Sequence, residues 1–155
     1  MLKKHHLSFS HNKLNFEYNG IIITNIEMLP DFKDLEGFVY KITNLSTGNI
    51  YIGRKNFYSF TKKKLKKEFL SKDRRRKDYI IEKKESNWVN YNSSCKQLIE
   101  DIKSNKYSFK KEIIFLAKTK KQLSFWEAAY QFKYDVLLND SYNDNILGKF
   151  FKKDV

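Results

Sequence analysis

A chain of 155 residues, 41% of them hydrophobic, is long enough for one domain with a real core, and one proline and five glycines exclude long flexible linkers. Its formal net charge of +13, mostly lysine, implies a polyanionic partner, nucleic acid before an anionic membrane, unless the charge is only the solvated surface of a Lys/Asn/Ile-rich composition. The single cysteine, Cys95, excludes an internal disulfide and a thiolate zinc site, while the lack of an apolar leader or a membrane-length stretch leads us to expect a soluble, cytoplasmic protein that does not enter the membrane.

In chain order, KLNFEYNGIIITNI (13 to 26) has an Asn-Gly turn signal between two short apolar runs, which predicts a small hairpin. MLPDFKDLE follows as a connector. FVYKI (38 to 42) and NIYIG (49 to 53) are rich in β-branched and aromatic residues, and NLSTG between them is turn chemistry, so they form a second hairpin. Residues 61 to 84 are charge-dense, half of them Lys or Arg, and read as a helix or a long loop. A helix is expected from Ser93 or Ser94, with a serine cap and Leu98, Ile99 and Ile102 at helical spacing. FKKEIIFLA (109 to 117) reads as a buried strand. A last helix starts after Thr119, with Leu123, Trp126, Tyr130, Tyr134 and Leu137 spaced three and four apart. The expected fold is α+β: a three-stranded sheet, mixed or antiparallel, flanked by helices in the order β-β-α-β-α. Residues 1 to 36 form an N-terminal extension, and 37 to 150 form the domain, with 61 to 84 as a basic insertion.

The second hairpin carries Tyr40 and Tyr51. If LSTG is a four-residue loop, Ile42 faces Tyr51, and side-chain alternation puts Tyr40 on the same face as Tyr51. Diagonal neighbours of this kind lie roughly 7–8 Å apart at Cα. A loop of odd length would put the two phenols on opposite faces. Aromatic residues in a hairpin often only pack across the strands. Here Gly53, Arg54 and Lys55 follow at the strand end, where a phosphate can approach a small residue closely.

GFVYKITNLSTGNIYIGRK (37 to 55) resembles the signature of the GIY-YIG nuclease superfamily: Phe38-Val39-Tyr40 stands at its first tripeptide, and Tyr51-Ile52-Gly53 matches the second. WVNYNSSCKQL (88 to 98), with YIGRKNF, is similar to a branch of small phage-type members, and homing-type enzymes share the signature. The resemblance implies a metal-dependent DNA endonuclease, a phosphodiester hydrolase, acting in the host cytoplasm if phage-encoded. It implies that Glu127 binds a single divalent ion, Mg2+ or Mn2+. The residues agree: a carboxylate among Trp126, Ala128, Ala129 and Tyr130 is costly to bury unless paired or metal-bound, although a water-facing turn would leave it idle. Tyr40 or Tyr51 would take the proton of the attacking water, the other orienting water or phosphate, with Arg54 as the cation after the glycine and Lys55 beside it.

The family places a further arginine on its first helix. This chain departs there, leaving Lys62, Lys63 or Lys64, or Arg74, Arg75 and Arg76, to replace it, and lysine does not reproduce a bidentate phosphate clamp. A family histidine is also missing; His5, His6 and His11 lie outside the motif, in a start expected to be disordered. The family's late asparagine matches Asn145 first and Asn143 second. Gly53, Lys55, Lys62, Lys64, Arg74, Arg75, Arg76 and Asn145 are thus the expected substrate-binding set, and the basic insertion would add phosphate contacts that carry no sequence information. The competing readings are a catalytically weak or inactive member of the same fold that only binds nucleic acid, and a basic RNA-associated protein. Monomer and homodimer are both open.

Overall fold

Asn19 and Gly20 both take positive φ, 49° and 80°, which is the backbone of a two-residue turn with a twist that suits a hairpin. Across it Phe16–Tyr18 (β1) pairs with Ile21–Ile23 (β2), as expected. The computed structural model describes residues 13–69 and 78–155. The expected connector holds two single turns of 3-10 helix, Ile26–Met28 and Phe32–Asp34. Gly37–Asn44 (β3) and Ile50–Asn56 (β4) then form the central hairpin. The side-chain oxygen of Asn44 accepts from the backbone N–H groups of Ser46 and Thr47, and Gly48 closes the turn at φ 82°. This fixes an even loop: Ile42 faces Tyr51 and Tyr40 faces Gly53.

Where it is described, the charge-dense segment is mostly strand, with one turn of 3-10 helix at Lys67–Phe69, rather than a long helix or loop. Tyr58–Lys64 (β5) pairs antiparallel with Tyr79–Glu85 (β6) in a sheet of its own. The sequence signal is weak, because Tyr58 and Phe60 alternate with Ser59 and Thr61 for only four positions before three lysines follow, and lysine scores poorly for strand. The next helix, Lys96–Lys103 (α1), starts later than expected, and neither serine caps it. Ser93 takes φ 96° and its hydroxyl accepts from the Cys95 N–H, so it shapes the turn before the helix. Phe109–Ala117 (β7) is a strand over the expected residues. Lys120–Lys133 (α2) is capped by Thr119, whose hydroxyl accepts from the Gln122 N–H at 3.1 Å. It stops before Leu137, at Asp135, where φ turns to 50°. Trp126 is more exposed than its place in the expected apolar stripe implied, and it stacks on Phe115. Asn145–Ile146 (β8) and Phe150–Phe151 (β9) pair near the C-terminus.

The main sheet has five strands, in the order β2-β1-β7-β3-β4, rather than three. The N-terminal hairpin adds the extra two, with β1 parallel to β7 and the other pairs antiparallel. Helices flank the sheet. One face buries Phe16, Phe38, Tyr40, Ile42, Phe57 and Trp88; the other buries Val39, Ile52 and Ala117 against Leu123 of α2 and Val136 beyond its end. β4 is an outer strand, and the candidate site residues gather along it.

Candidate active site

Gly53 is where the two tyrosines meet. A Cβ there would lie 2.6 Å from the Tyr40 hydroxyl and 2.7 Å from Cε1 of Tyr51. The glycine therefore makes room for two phenol rings, whose centroids are 6.0 Å apart, rather than for a phosphate. A bulge on β7 shifts the register between Val39 and Tyr40, so that Tyr40 faces Ile113. Tyr40 is fully buried, in edge contact with Phe16 and Tyr91. Burial, reinforced by Tyr51, Tyr91 and Glu127, pushes its phenol far above the ordinary value. Tyr51 is half-buried and opens on the cleft, with its hydroxyl 3.4 Å from that of Ser94. Burial pushes the Tyr51 phenol up too, and the Ser94 hydrogen bond partly offsets this.

Alternation sends Arg54 to the opposite face of the sheet, toward α2. There its Nε lies 3.3 Å from Glu127 Oε2, and its Nη1 donates to the Ser124 hydroxyl. Burial raises the Glu127 carboxyl above its usual range, against the pull of Arg54. Between the two faces runs the outward backbone of β4. Asn143 holds it with both ends of its amide: Oδ1 accepts from the Ile52 N–H at 2.9 Å, and Nδ2 donates to the Ile52 carbonyl at 2.8 Å. Gln131 donates to the same carbonyl at 3.0 Å. An outer strand normally leaves such groups open to other chains; here side-chain amides occupy them.

Tyr51, Arg54 and Glu127 line one cleft of about 620 Å³ together with Ser94, Lys96, Asn143 and Asn145. Asn145 is partly exposed there, its side-chain oxygen accepting from the Gly148 N–H, while Asn143 is buried and braces β4. Lys55 lies over the Tyr91 ring at 4.2 Å instead of lining the cleft. Lys62, Lys63 and Lys64 sit on β5, away from the cleft lining. Arg74, Arg75 and Arg76 lie outside the described residues, as do His5, His6 and His11.

Sequence reasoning missed three contributors. Lys96, the first residue of α1, supplies a cation to the cleft from the first helix, whereas the sequence alone points to the basic segment for that cation. The SSCKQL stretch held that signal, since the lysine directly follows the residues of the helix start. Ser94 was read as a cap but meets Tyr51 instead. Lys111 is fully buried on β7, and its ammonium donates to the Tyr91 carbonyl at 2.9 Å and to Asn92 Oδ1 at 3.0 Å. It ties the segment carrying Tyr91 and Ser94 to the sheet. Nothing in the alternation of β7 announced that role.

Among the described residues no three His, Cys, Asp or Glu side chains cluster as metal ligands. What the cleft offers is two carboxylates, the partly buried Glu127 and the exposed Asp144, with neutral oxygen donors nearby. That set fits a hard, hydrated cation, which keeps most of its waters and needs few protein ligands.

A family model described as "Putative endonuclease segE, GIY-YIG domain" matches residues 22–154. No curated protein and no solved structure matches the chain. The family implies nuclease activity in general, and GIY-YIG nucleases generally use a divalent metal. With the two-tyrosine hairpin, the flanked mixed sheet and the match over most of its length, the chain belongs to the GIY-YIG nuclease superfamily.

Proposed function

We propose that the protein is a metal-dependent DNA endonuclease that hydrolyses a phosphodiester bond in the cleft along β4. The observation that carries this reading is the meeting of Glu127, Arg54 and Tyr51 in one cleft, although Arg54 and Tyr51 leave the sheet on opposite faces. Glu127 would hold the divalent ion, Mg2+ or Mn2+, which when bound neutralises charge building on the phosphate and leaving oxygen. Arg54 and Lys96 place two cations where a phosphate enters. Tyr51 reaches the cleft, so its hydroxyl holds the attacking water and takes its proton. Tyr40 is enclosed, and it packs Tyr51 in place. Asn143 and Gln131 keep β4 at a fixed distance from α2, and so fix Arg54 and Tyr51 relative to Glu127.

Plasmid nicking and linearisation with Mg2+ or Mn2+ tests this. Wild type should convert supercoiled DNA, and Glu127→Ala should bind DNA but not cut it. A wild type that binds at low salt and cuts with neither ion overturns the endonuclease reading in favour of a binding module. Lysine in place of arginine on α1 would then be the first suspect.

A further inference from the structure

We propose that one face of the β5–β6 hairpin, the face carrying Phe60, Lys62, Lys64 and Lys83, lies along duplex DNA on one side of the scissile phosphate and sets the enzyme's position there. The proposal rests on the DNA reading above and adds where the substrate runs.

Cross-strand partners share a face, so the register divides the hairpin into two surfaces. One holds Tyr58, Phe60, Lys62 and Lys64 with Tyr79, Ile81, Lys83 and Glu85. The other holds Ser59, Thr61 and Lys63 with Ile80, Glu82 and Lys84. The two differ in charge that is free to meet a phosphate. On the second, Lys63 is ion-paired to Glu82. On the first, the sole carboxylate, Glu85, is turned away to accept from the indole N–H of Trp88 at 2.8 Å. Two of its three lysines are instead carried on aromatic rings: Lys83 lies 4.0 Å from the Tyr58 centroid and Lys62 4.7 Å from that of Tyr79. Phe60 remains 52% exposed beside them.

This face is also continuous with the cleft. Lys120, at the start of α2, lies 5.7 Å from the Phe60 ring. Lys120, Ser124, Glu127 and Gln131 follow at spacings of four, three and four, one stripe along the helix. Ser124 and Glu127 hold Arg54, and Gln131 holds β4. From Lys120 to Glu127 the helix rises only about 10 Å. From Phe60, where Lys120 meets the hairpin, to Lys64 the strand adds up to a further ~14 Å at about 3.4 Å per residue, about 24 Å in all. At 3.4 Å per base pair this reaches about seven base pairs from the cleft. At the other end of the helix the β8–β9 hairpin, with Phe150 against Phe132, has only two residues per strand, so the long contact lies on one side.

Two charge-matched double variants test the proposal: Lys62→Ala/Lys83→Ala on the proposed face and Lys63→Ala/Lys84→Ala on the other. Both remove two positive charges. Binding to a duplex oligonucleotide is measured in EDTA, so that cutting plays no part, over a range of salt. The first pair should weaken binding severalfold and lower the slope of log K against log salt by about two, at ~0.9 per phosphate contact. Its hydroxyl-radical footprint should shrink on one side only. The second pair should leave slope and footprint nearly as in wild type, and Lys62→Arg/Lys83→Arg should restore both. Equal weakening by the two Ala pairs would overturn the proposal, leaving only bulk charge. So would unchanged DNA binding by the first pair with a change in sedimentation, which would make the face a contact between copies. Plasmid cutting by wild type, scored separately, reports on the nuclease reading, so failure of one is not failure of the other.

Discussion

Arg54 Nε lies 3.3 Å from Glu127 Oε2, yet the Glu127 carboxyl is still held above its usual range, because burial outweighs the guanidinium. Burial thus costs the ionised carboxyl more than this half-exposed guanidinium returns, and a further cation in the cleft would favour the charged form.

Glu127→Gln should thus abolish cutting with Mg2+ or Mn2+ while leaving the metal-free fold as stable as wild type or more so at neutral pH. The sign follows from linkage. With the folded value above the unfolded one, the folded state holds the proton longer, and wild-type stability falls as pH rises through that window. The difference in unfolding free energy between Glu127→Gln and wild type, measured from pH 4 to 7, should grow with pH. A variant that is markedly less stable at pH 7 would make Glu127 a structural residue.

Tyr51 offers a second pH test. Its phenol is pushed above 10, so below that value its ionised fraction rises about tenfold per pH unit. If it takes the proton of the attacking water, single-turnover cutting should climb with a slope near one between pH 6.5 and 9. Tyr51→Phe should lose both rate and slope. A slow variant that keeps the slope would move the titrating group elsewhere, for instance to water on the metal.

Gly53→Ala should disable the site without touching any polar group. The new methyl meets Tyr40 and Tyr51 at under 3 Å, so both rings must shift. Overpacking of this kind costs about 1–3 kcal/mol. Chemical denaturation should show a loss in that range, with cutting reduced far more than DNA binding. Full activity in the variant would mean that the spacing of the two phenols does not matter.

Lys111 is fully buried, and burial, with Lys13 nearby, lowers its ammonium from 10.5 to about 7. Between those values the unfolded chain holds the extra proton, so wild-type stability should rise with pH across the window, by up to ~1.4 kcal/mol per unit. Lys111→Met should flatten that rise. It should also slow cutting, because the Tyr91 carbonyl and the Asn92 side chain lose the donor that anchors their segment. An identical pH slope in the variant would mean that Lys111 keeps its ordinary charge in the fold.

Local chemistry was enough for much of this molecule. The Asn-Gly and NLSTG turns, the Thr119 cap and the apolar run of β7 each determine their own backbone, and they were readable without any partner. The loop of four residues decided that Tyr40 and Tyr51 share a face, because side-chain alternation is a property of the strand alone. The GIY-YIG resemblance rested on those same contiguous residues. Three-dimensional packing decided the rest. Tyr40 is enclosed because Phe16 and Tyr91, both remote from it in sequence, pack edge-on against its ring, while Tyr51 opens on the cleft. The bracing amide is that of Asn143, two residues before Asn145, because only the path of the chain past Ile50 sets which side chain meets Ile52. Lys96 enters the cleft because α1 begins there, and no periodicity carries that. The hairpin of β5 and β6 escaped reading because lysine blurs alternation in a window, and pairing with a strand beyond residue 78 is what makes it a strand. Sequence sets what each short segment prefers; which distant segments stand face to face is a property of the closed core.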